Sequence, residues 1–196
     1  TSPISYIIYV RRNQKGFIHC NQPGQTAQTK EPIMAITTSL SNIVFGTNIS
    51  NIQVPEHLNR TIETGVDYVD AAMGGAGFTP SSVNLFTGEP GAGKTTMVLT
   101  VASAVAKKKN TMCVFNTAEE SLFQIKKTVN RLALRGDFAC GNSNEIDDVI
   151  AGCRKMMEAN PKKQMFLVID SLQQMNGTHD RYGKGYRSDS LVLEKI

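Results

Sequence analysis

VNLFTGEPGAGKTT, at residues 83–96, is the stretch of this sequence that decides the fold. Residues 83–87 form a short apolar run that suits a buried strand. Residues 88–95 follow directly and fit the pattern G-x-x-x-x-G-K-[ST]. Residues 96–108 then carry apolar side chains and alanines at helical spacing, and cations with Asn110 close the segment. A strand, a glycine-rich turn and a helix in this order predict a phosphate-binding loop.

The residue types in this turn suit the binding of nucleotide phosphates. Glycines let the backbone turn tightly and point successive N–H groups inward, while the start of a helix adds partial positive charge. Lys94 can reach the β- and γ-phosphates, and the hydroxyl of Thr95 can hold Mg²⁺. The alternative is a chance glycine-rich turn, which the flanking strand and helix disfavour. We therefore predict an ATP and Mg²⁺ site in which Lys94 also acts in catalysis. The predicted ATP-binding residues are Gly88, Glu89, Pro90, Gly91, Ala92, Gly93, Lys94, Thr95 and Thr96.

A second apolar run, at residues 164–170, ends in the acid Asp170. An aspartate at the exit of a buried strand can hold the water shell of Mg²⁺ beside a phosphate-binding loop. The run alone is a weak signal, because many strands end in Asp. Since two predicted helices separate it from Lys94, we predict that Asp170 helps Thr95 to hold the metal.

A third apolar run lies between these two motifs, at residues 111–116, and leads into Glu119 and Glu120. A carboxylate at the tip of this strand could orient and deprotonate the water that attacks the γ-phosphate. The alternative is that both acids belong to the first turn of a helix over residues 121–135, where the helix dipole favours them. We assign Glu120 to that helix turn. For Glu119, both the catalytic role and the role in the helix turn stay open at this point.

Strands and helices alternate along this part of the chain. A short strand is predicted at residues 138–140, and a helix at residues 145–160 that is capped by Asn144 and closed before Pro161. This alternation predicts an α/β fold with a mainly parallel sheet, flanked by helices and joined by right-handed crossovers. Ligands bind at the carboxyl ends of such strands, which is where the three motifs fall.

Residues 1–55 are predicted to be poorly structured and to precede a domain over residues 56–196. Much of this segment lacks a period of 2 or 3.6 and is rich in Gln, Asn, Gly and Thr. Residues 4–10 could form one strand, but no partner lies nearby in the sequence. Two explanations of residues 1–33 stay open: the natural protein starts at Met34, or these residues are a flexible extension. The sequence stops within a predicted helix that has no stop signal, so we expect the domain to be truncated at its C-terminal end.

The composition excludes several classes of protein. With 196 residues, 40% hydrophobic and 19% charged, the chain has room for one domain, alone or with a loose tail. No run approaches the roughly 18 apolar residues of a membrane helix. The four cysteines form no CxxC pair, so no zinc ribbon is predicted, and their scatter favours reduced thiols and a cytoplasmic location. The net charge of +4 lies mostly in residues 1–60 and does not by itself indicate DNA binding.

With these motifs in place, the sequence resembles the RecA superfamily of ATPases, and within it most closely the bacterial RadA/Sms recombination ATPases. Three stretches carry the resemblance: TGVDYVDAAMGGAGFTPSSVNLFTGEPGAGKTT at residues 64–96, NTAEESLFQIKKTVNRL at residues 116–132 and LVIDSLQQM at residues 167–175. The resemblance extends over about residues 60–180. It implies a RecA-like P-loop core in which Glu119 takes the position of the catalytic carboxylate. It also places Ser171 beside the Walker B acid, Asp170.

The sequence departs from the family pattern in three respects. RadA/Sms proteins usually begin with a four-cysteine zinc finger, and this sequence has no such cluster. Their KNRFG motif and C-terminal protease-like domain would lie beyond Ile196. In RecA-type sheets, the strand after Walker B inserts between the P-loop strand and the Walker B strand, and we expect this sequence to stop before that strand. The resemblance therefore implies an incomplete ATPase core.

The resemblance also implies that a loop after Walker B faces DNA. The corresponding stretch, residues 179–187, contains cations that can neutralise phosphates and tyrosines that can stack on bases. The alternative is a solvated surface loop. The residues predicted to bind DNA are Arg181, Tyr182, Lys184, Tyr186 and Arg187.

These observations together predict an ATP-binding, DNA-stimulated ATPase of recombination and repair, with branch migration as its activity. The family resemblance implies assembly into a ring or filament, with ATP bound between subunits and single-stranded or branched DNA as the partner. Two alternatives stay open: a replicative helicase of the DnaB type, and a nucleotide-dependent assembly switch resembling KaiC.

Overall fold

A five-stranded sheet forms the centre of the computed structural model, which describes residues 4–12, 46, 48–54, 56–176 and 192. The strand order is β2-β1-β5-β3-β4. The parallel pairs are β3 with β4 and β3 with β5, while β1 pairs antiparallel with both β2 and β5. Four strands therefore share one direction and only β1 opposes them, which confirms the predicted α/β fold with a mainly parallel sheet. The strands are β1 (Ile4–Arg12), β2 (Val83–Gly88), β3 (Thr111–Thr117), β4 (Ala139–Gly141) and β5 (Gln164–Asp170).

Four α-helices accompany the sheet in the described residues, together with short 3₁₀ turns. The helices are α1 (Asp67–Ala72), α2 (Lys94–Ala106), α3 (Leu122–Arg131) and α4 (Ile146–Ala159). Three of them differ from the prediction at their ends. Helix α2 spans Lys94–Ala106 instead of residues 96–108. The chain leaves α3 at Arg131 instead of residue 135, because Ala133 adopts a left-handed φ of 50° that does not continue a helix. Asn144 does not cap α4, whose N-cap is Glu145.

Alternating residues of β3 and β5 build two cores, one on each face of the sheet. Cys113 and Phe115 of β3, with Phe166 of β5, pack in one cluster with the apolar residues of α2 and α3. Met112 and Val114 lie in the other cluster, with the apolar residues of α4. Strands that are buried on both faces need an unbroken apolar run, which explains why the sequence shows no polar alternation in either strand.

The N-terminal strand β1 lies between β2 and β5. The sequence interpretation placed residues 4–10 in the poorly structured segment of residues 1–55, without a partner; the structure instead pairs Ile4–Arg12 on both sides. The family resemblance assigns this position to a strand that follows Walker B. The proposed start at Met34, and most of the segment before residue 56, lie outside the described residues.

The carboxylate of Asp70 fixes the loop that enters α1. Its Oδ1 accepts hydrogen bonds from the backbone N–H and the hydroxyl of Thr64 at 2.8 and 2.9 Å, and its Oδ2 accepts one from the Gly65 N–H at 2.8 Å. Burial raises the pKa of this carboxyl, but the hydrogen bonds and the charge of Lys108 outweigh burial and lower it below its ordinary value of 3.8. The ionised form is therefore the one that stabilises this loop.

We expect Asp70→Asn to lower the free energy of unfolding by about 1–3 kcal/mol, because the amide N–H₂ cannot accept a hydrogen bond. The stabilisation from Asp70 is present above pH 3.8 and is lost as the pH falls through the lowered, folded-state pKa. Urea unfolding at pH 7 and at pH 3 measures both effects, and the difference between Asp70→Asn and wild type should shrink at the lower pH. Asp67→Asn, on the exposed side of the same helix, is the matched control. Equal losses in the two variants would contradict the assigned role of Asp70.

Candidate nucleotide-binding site

The glycine-rich turn connects the end of β2 at Gly88 to the start of α2 at Lys94. Gly91 and Gly93 adopt φ angles of 80° and 83°, in the left-handed region that only glycine enters without strain. Gly93 is the N-cap of α2 and, having no side chain, caps none of the backbone N–H groups of the first turn. Those N–H groups and the positive end of the helix dipole together suit the binding of an anion at this turn.

Lys94 lies inside the turn that it is predicted to serve. Its Nζ donates a hydrogen bond to the carbonyl oxygen of Glu89 at 2.6 Å, across the loop. Its Cδ lies 3.5 Å from the point where a Cβ on Gly88 would be, so the side chain passes directly over that glycine. The ammonium group is thereby held among the loop backbone groups that would bind the β- and γ-phosphates.

Asp170 ends β5 and is 1% exposed. The backbone continues through a cis peptide bond to Ser171. The carbonyl oxygen of Asp170 accepts a hydrogen bond from the N–H of Ala118 at 2.6 Å, which joins the end of β5 to the turn after β3. Thr95 is half-buried and is the second residue of α2, directly after Lys94. A threonine hydroxyl and a carboxylate are hard oxygen donors, so this pair fits the ligand preference of Mg²⁺.

The turn after β3 holds Glu119 at its exposed apex. The hydroxyl of Thr117 donates to the carbonyl oxygen of Glu120 at 2.8 Å and accepts from the N–H of Glu120 at 3.0 Å. Helix α3 begins only at Leu122, after Ser121, which caps it in a capping box with Gln124. Both acids therefore precede the helix, and the interpretation of Glu120 as a first-turn acid is wrong. Glu120 is held by its backbone, whereas the Glu119 side chain projects into solvent.

Two asparagine side chains that the sequence interpretation missed, Asn142 in the loop after β4 and Asn116 in β3, join this turn to that loop. The side-chain amide of Asn142 donates to the carbonyl oxygens of Thr117 at 3.1 Å and Glu120 at 3.4 Å. The buried amide of Asn116 donates to the Ser143 carbonyl at 2.7 Å and accepts from the Ser143 N–H at 3.2 Å. The two ends of the acid-bearing turn are thus tied to the loop after β4. An asparagine in a loop gives no sequence signal for such a role.

The sheet brings the three sequence motifs to one edge. The strands β2, β3 and β5 run in the same direction, so their last residues, Gly88, Thr117 and Asp170, lie at the same edge of the sheet. Thr117 and Asp170 are register partners in adjacent strands. The first residues of β1 lie at this edge as well, with Ile4 opposite Gly88 and Tyr6 opposite Asp170.

The described cysteines and possible metal ligands offer little further reactive chemistry. Burial raises the pKa of the Cys113 thiol, and raises that of Cys153 to about 11, so both remain protonated at neutral pH. Among the described residues, no group of three or more His, Cys, Asp or Glu side chains could hold a metal ion. The predicted DNA-binding loop, residues 181–187, lies outside the described part of the chain.

Comparison with known proteins points to the same region. The family model described as "ATPase: KaiC" matches residues 62–139, which include the glycine-rich turn, α2, β3 and α3. The chain carries a KaiC-like ATPase domain of the RecA superfamily. No solved structure matches the chain.

The chain that carries this ATPase domain is also similar to proteins named DNA repair protein RadA. It is 33% identical to the protein of Escherichia coli strain K12 over 152 residues, which are 74% of this chain and 31% of that protein. It is 28% identical to the Listeria monocytogenes protein over 160 residues, 79% of this chain and 33% of that protein. It is 39% identical to the Rickettsia bellii protein over 114 residues, 57% of this chain and 24% of that protein. The chain thus spans about a quarter to a third of the length of the curated relatives that it matches.

In the described residues, no helix is long and apolar enough to span a bilayer.

We expect Lys94→Ala to weaken the binding of Mg²⁺-ATP by a factor on the order of 10–100, because alanine cannot form a charge-assisted hydrogen bond to the phosphates. Titration of a fluorescent ATP analogue measures this affinity. Lys107→Ala removes the same charge from the opposite end of α2 and is the matched control. An unchanged affinity in Lys94→Ala would show that the turn does not hold the phosphates.

Proposed function

We propose that this protein is a Mg²⁺-dependent ATPase that responds to DNA and acts in recombination or repair. One observation carries the proposal: three strands end at the same edge of one sheet, where the buried Asp170 ends β5, the phosphate-binding turn follows β2 and the exposed Glu119 follows β3. The match to the KaiC family model and the similarity to DNA repair proteins named RadA support the same conclusion.

Each group at this edge has a chemical task in the proposed reaction. Lys94 and the backbone N–H groups of the turn bind and orient the β- and γ-phosphates. Thr95 and Asp170 would hold Mg²⁺, which neutralises the charge of the phosphates when bound. Glu119 accepts the proton of the attacking water at its carboxylate as the water oxygen bonds to the γ-phosphorus. The bond from the γ-phosphorus to the β–γ bridging oxygen breaks in the same step, so that ADP leaves and inorganic phosphate forms. The hydrogen bonds of Thr117 and Asn142 to the backbone of Thr117 and Glu120 hold the turn that carries Glu119.

The DNA response, the assembly and the location are further parts of the proposal. The similarity to RadA proteins supports DNA as a partner, and residues 181–187 are the proposed contact. We propose self-association into a ring or filament that acts in the cytoplasm, with a neighbouring subunit completing the nucleotide site. The free thiols of Cys113, Cys140 and Cys153 suit a reducing compartment. A nucleotide-dependent assembly switch is the second candidate, because the matching family model is that of KaiC.

We expect Glu119→Gln to bind ATP with unchanged affinity but to hydrolyse it on the order of 10²-fold more slowly, because the amide cannot accept the proton of the water. Single-turnover release of phosphate measures this step separately from binding. Glu120→Gln is the matched control, since it makes the same change one residue further along the same turn. If the Glu120 variant loses hydrolysis and the Glu119 variant retains it, the catalytic assignment is wrong.

Replacement of Arg181, Lys184 and Arg187 by Ala should remove the stimulation of hydrolysis by single-stranded DNA. The hydrolysis rate without DNA should persist, because none of the three belongs to the phosphate-binding turn. The slope of log affinity against log salt should fall by about 0.7 for each phosphate that the variant no longer neutralises. Wild-type stimulation and slope in the triple variant would return residues 181–187 to the interpretation as a solvated surface loop. Hydrolysis that does not respond to DNA in the wild-type protein would favour the assembly switch over the DNA-responsive ATPase.

A further inference from the structure

Two adjoining clefts open at the amino edge of the sheet, where β3 and β5 begin. One has a volume of about 480 Å³ and is lined by residues that include Thr111 and Gln164, the first residues of these strands. The other has a volume of about 420 Å³ and shares Lys108, Lys109 and Thr111 with the first. Because β3 is seven residues long, this edge lies about 20 Å from the proposed nucleotide site. The clefts form a continuous surface that is separate from that site.

Positive charge dominates this surface. Only two acids, Glu63 and Asp137, are among the described residues that line the clefts. Within the described part of the chain, Arg60 is the only lining cation that forms an ion pair, with Glu56. The lining cations number six and come from three separate segments: Arg60, Lys107, Lys108, Lys109, Lys162 and Lys163.

Backbone hydrogen bonds hold the lysine-bearing turns in a fixed relation. The N–H of Thr111 donates to the carbonyl oxygen of Lys108 at 3.1 Å, which closes the turn after α2. The N–H of Gln164 donates to the carbonyl oxygen of Asn110 at 2.7 Å, which joins that turn to the one before β5. The joined turns therefore hold the backbones of Lys109 and Lys162 in a fixed relative position.

The end of α2 explains only part of this charge. Lysines 107–109 complement the negative end of the α2 dipole, which is a common structural role. Lys162 and Lys163 follow α4 after Asn160 and Pro161, and Arg60 precedes α1, so neither group serves that dipole. Three segments therefore place cations at one edge, and only residues 107–109 directly follow the end of a helix.

We infer that this surface, here called the basic edge, binds the phosphate backbone of a nucleic acid strand. Two joined clefts with charges spread along them fit a chain of phosphates better than a single phosphate group. Among the described residues that line it, Phe138 is the only aromatic one, so the surface suits contacts to phosphates without base stacking. Binding at the basic edge is therefore independent of base sequence and steeply dependent on salt. It is also independent of ATP hydrolysis, because no residue of the phosphate-binding turn lines it.

The test is the salt dependence of binding of a fluorescein-labelled 20-nucleotide oligo(dT) to the whole chain, followed by fluorescence anisotropy. The variant combines Lys109→Ala, Lys162→Ala and Lys163→Ala, which keeps Lys107 and Lys108 at the end of α2 and the Arg60–Glu56 pair. We expect the log–log slope to fall by about 2, or about 0.7 for each phosphate, and the affinity near 0.1 M salt to fall on the order of 10–100-fold. ATP turnover without DNA should equal that of wild type.

The matched control removes three cations from an exposed face of α3: Lys126→Ala, Lys127→Ala and Arg131→Ala. If the basic-edge variant changes the slope no more than this control does, or wild type shows no binding, the inference is overturned. Stronger displacement of oligo(dT) by poly-glutamate than by an equal charge of unlabelled oligo(dT) also overturns it, since the surface would then fit an acidic protein. The measurement of ATP turnover tests the proposed function separately. If the wild-type chain does not hydrolyse ATP but the basic-edge variant still lowers the slope, the proposed function is contradicted and the basic edge is not.

Discussion

The parallel pairing of β3 with β5 is the interaction on which the rest of the structure depends. Its register runs from Thr111 opposite Gln164 to Thr117 opposite Asp170. One backbone hydrogen bond extends the pairing at each end: Ala118 N–H to Asp170 at the carboxyl edge, and Gln164 N–H to Asn110 at the amino edge. Both strands are buried on both faces, so a shift in register by one residue would move every apolar side chain into the wrong core. One pairing therefore fixes both the acid-bearing edge and the basic edge.

Helix α2 connects the two edges independently of the strands. It begins at Lys94 in the phosphate-binding turn and ends at Ala106, where the lysines of the basic edge follow. Its 13 residues span about 20 Å, which is close to the length of the strand β3 on which it packs. Six of its side chains are buried, so the helix cannot move along the sheet without breaking the core. The distance between the two proposed binding surfaces is thus set by a rigid element.

The sequence predicted the elements whose signals are local. The run at residues 164–170 has the same bounds in the structure, because an unbroken apolar stretch after Pro161 has only one way to be buried. The phosphate-binding turn was predictable because its glycines are needed for their backbone angles, as the left-handed φ of Gly91 and Gly93 confirms. The local sequence contains the signal that corrects the assignment of Glu120. Ser121 and Gln124 fit the pattern of a capping box, which places the start of α3 after both acids.

Features that depend on distant partners were not predictable in this way. The hydrogen bonds of Asn142 join residues that are 22 and 25 positions apart, and nothing in the loop sequence encodes that geometry. Strand β1 lies near the start of the chain and pairs with the distant strands β2 and β5. The apolar run of residues 4–10 therefore predicted a strand but not its position in the sheet.

The position of β1 has a physical consequence for the nucleotide site. Because β2 is hydrogen-bonded to the sheet only through β1 among the described strands, the phosphate-binding turn is connected to Asp170 by two routes: the β1 ladder and the packing of α2. The hydrogen bonds of β1 to β2 and β5 set the relative direction of these strands and the spacing between Gly88 and Asp170. The packing of α2 on the sheet buries apolar side chains. The geometry of the site therefore rests on a strand that lies outside the region of family resemblance.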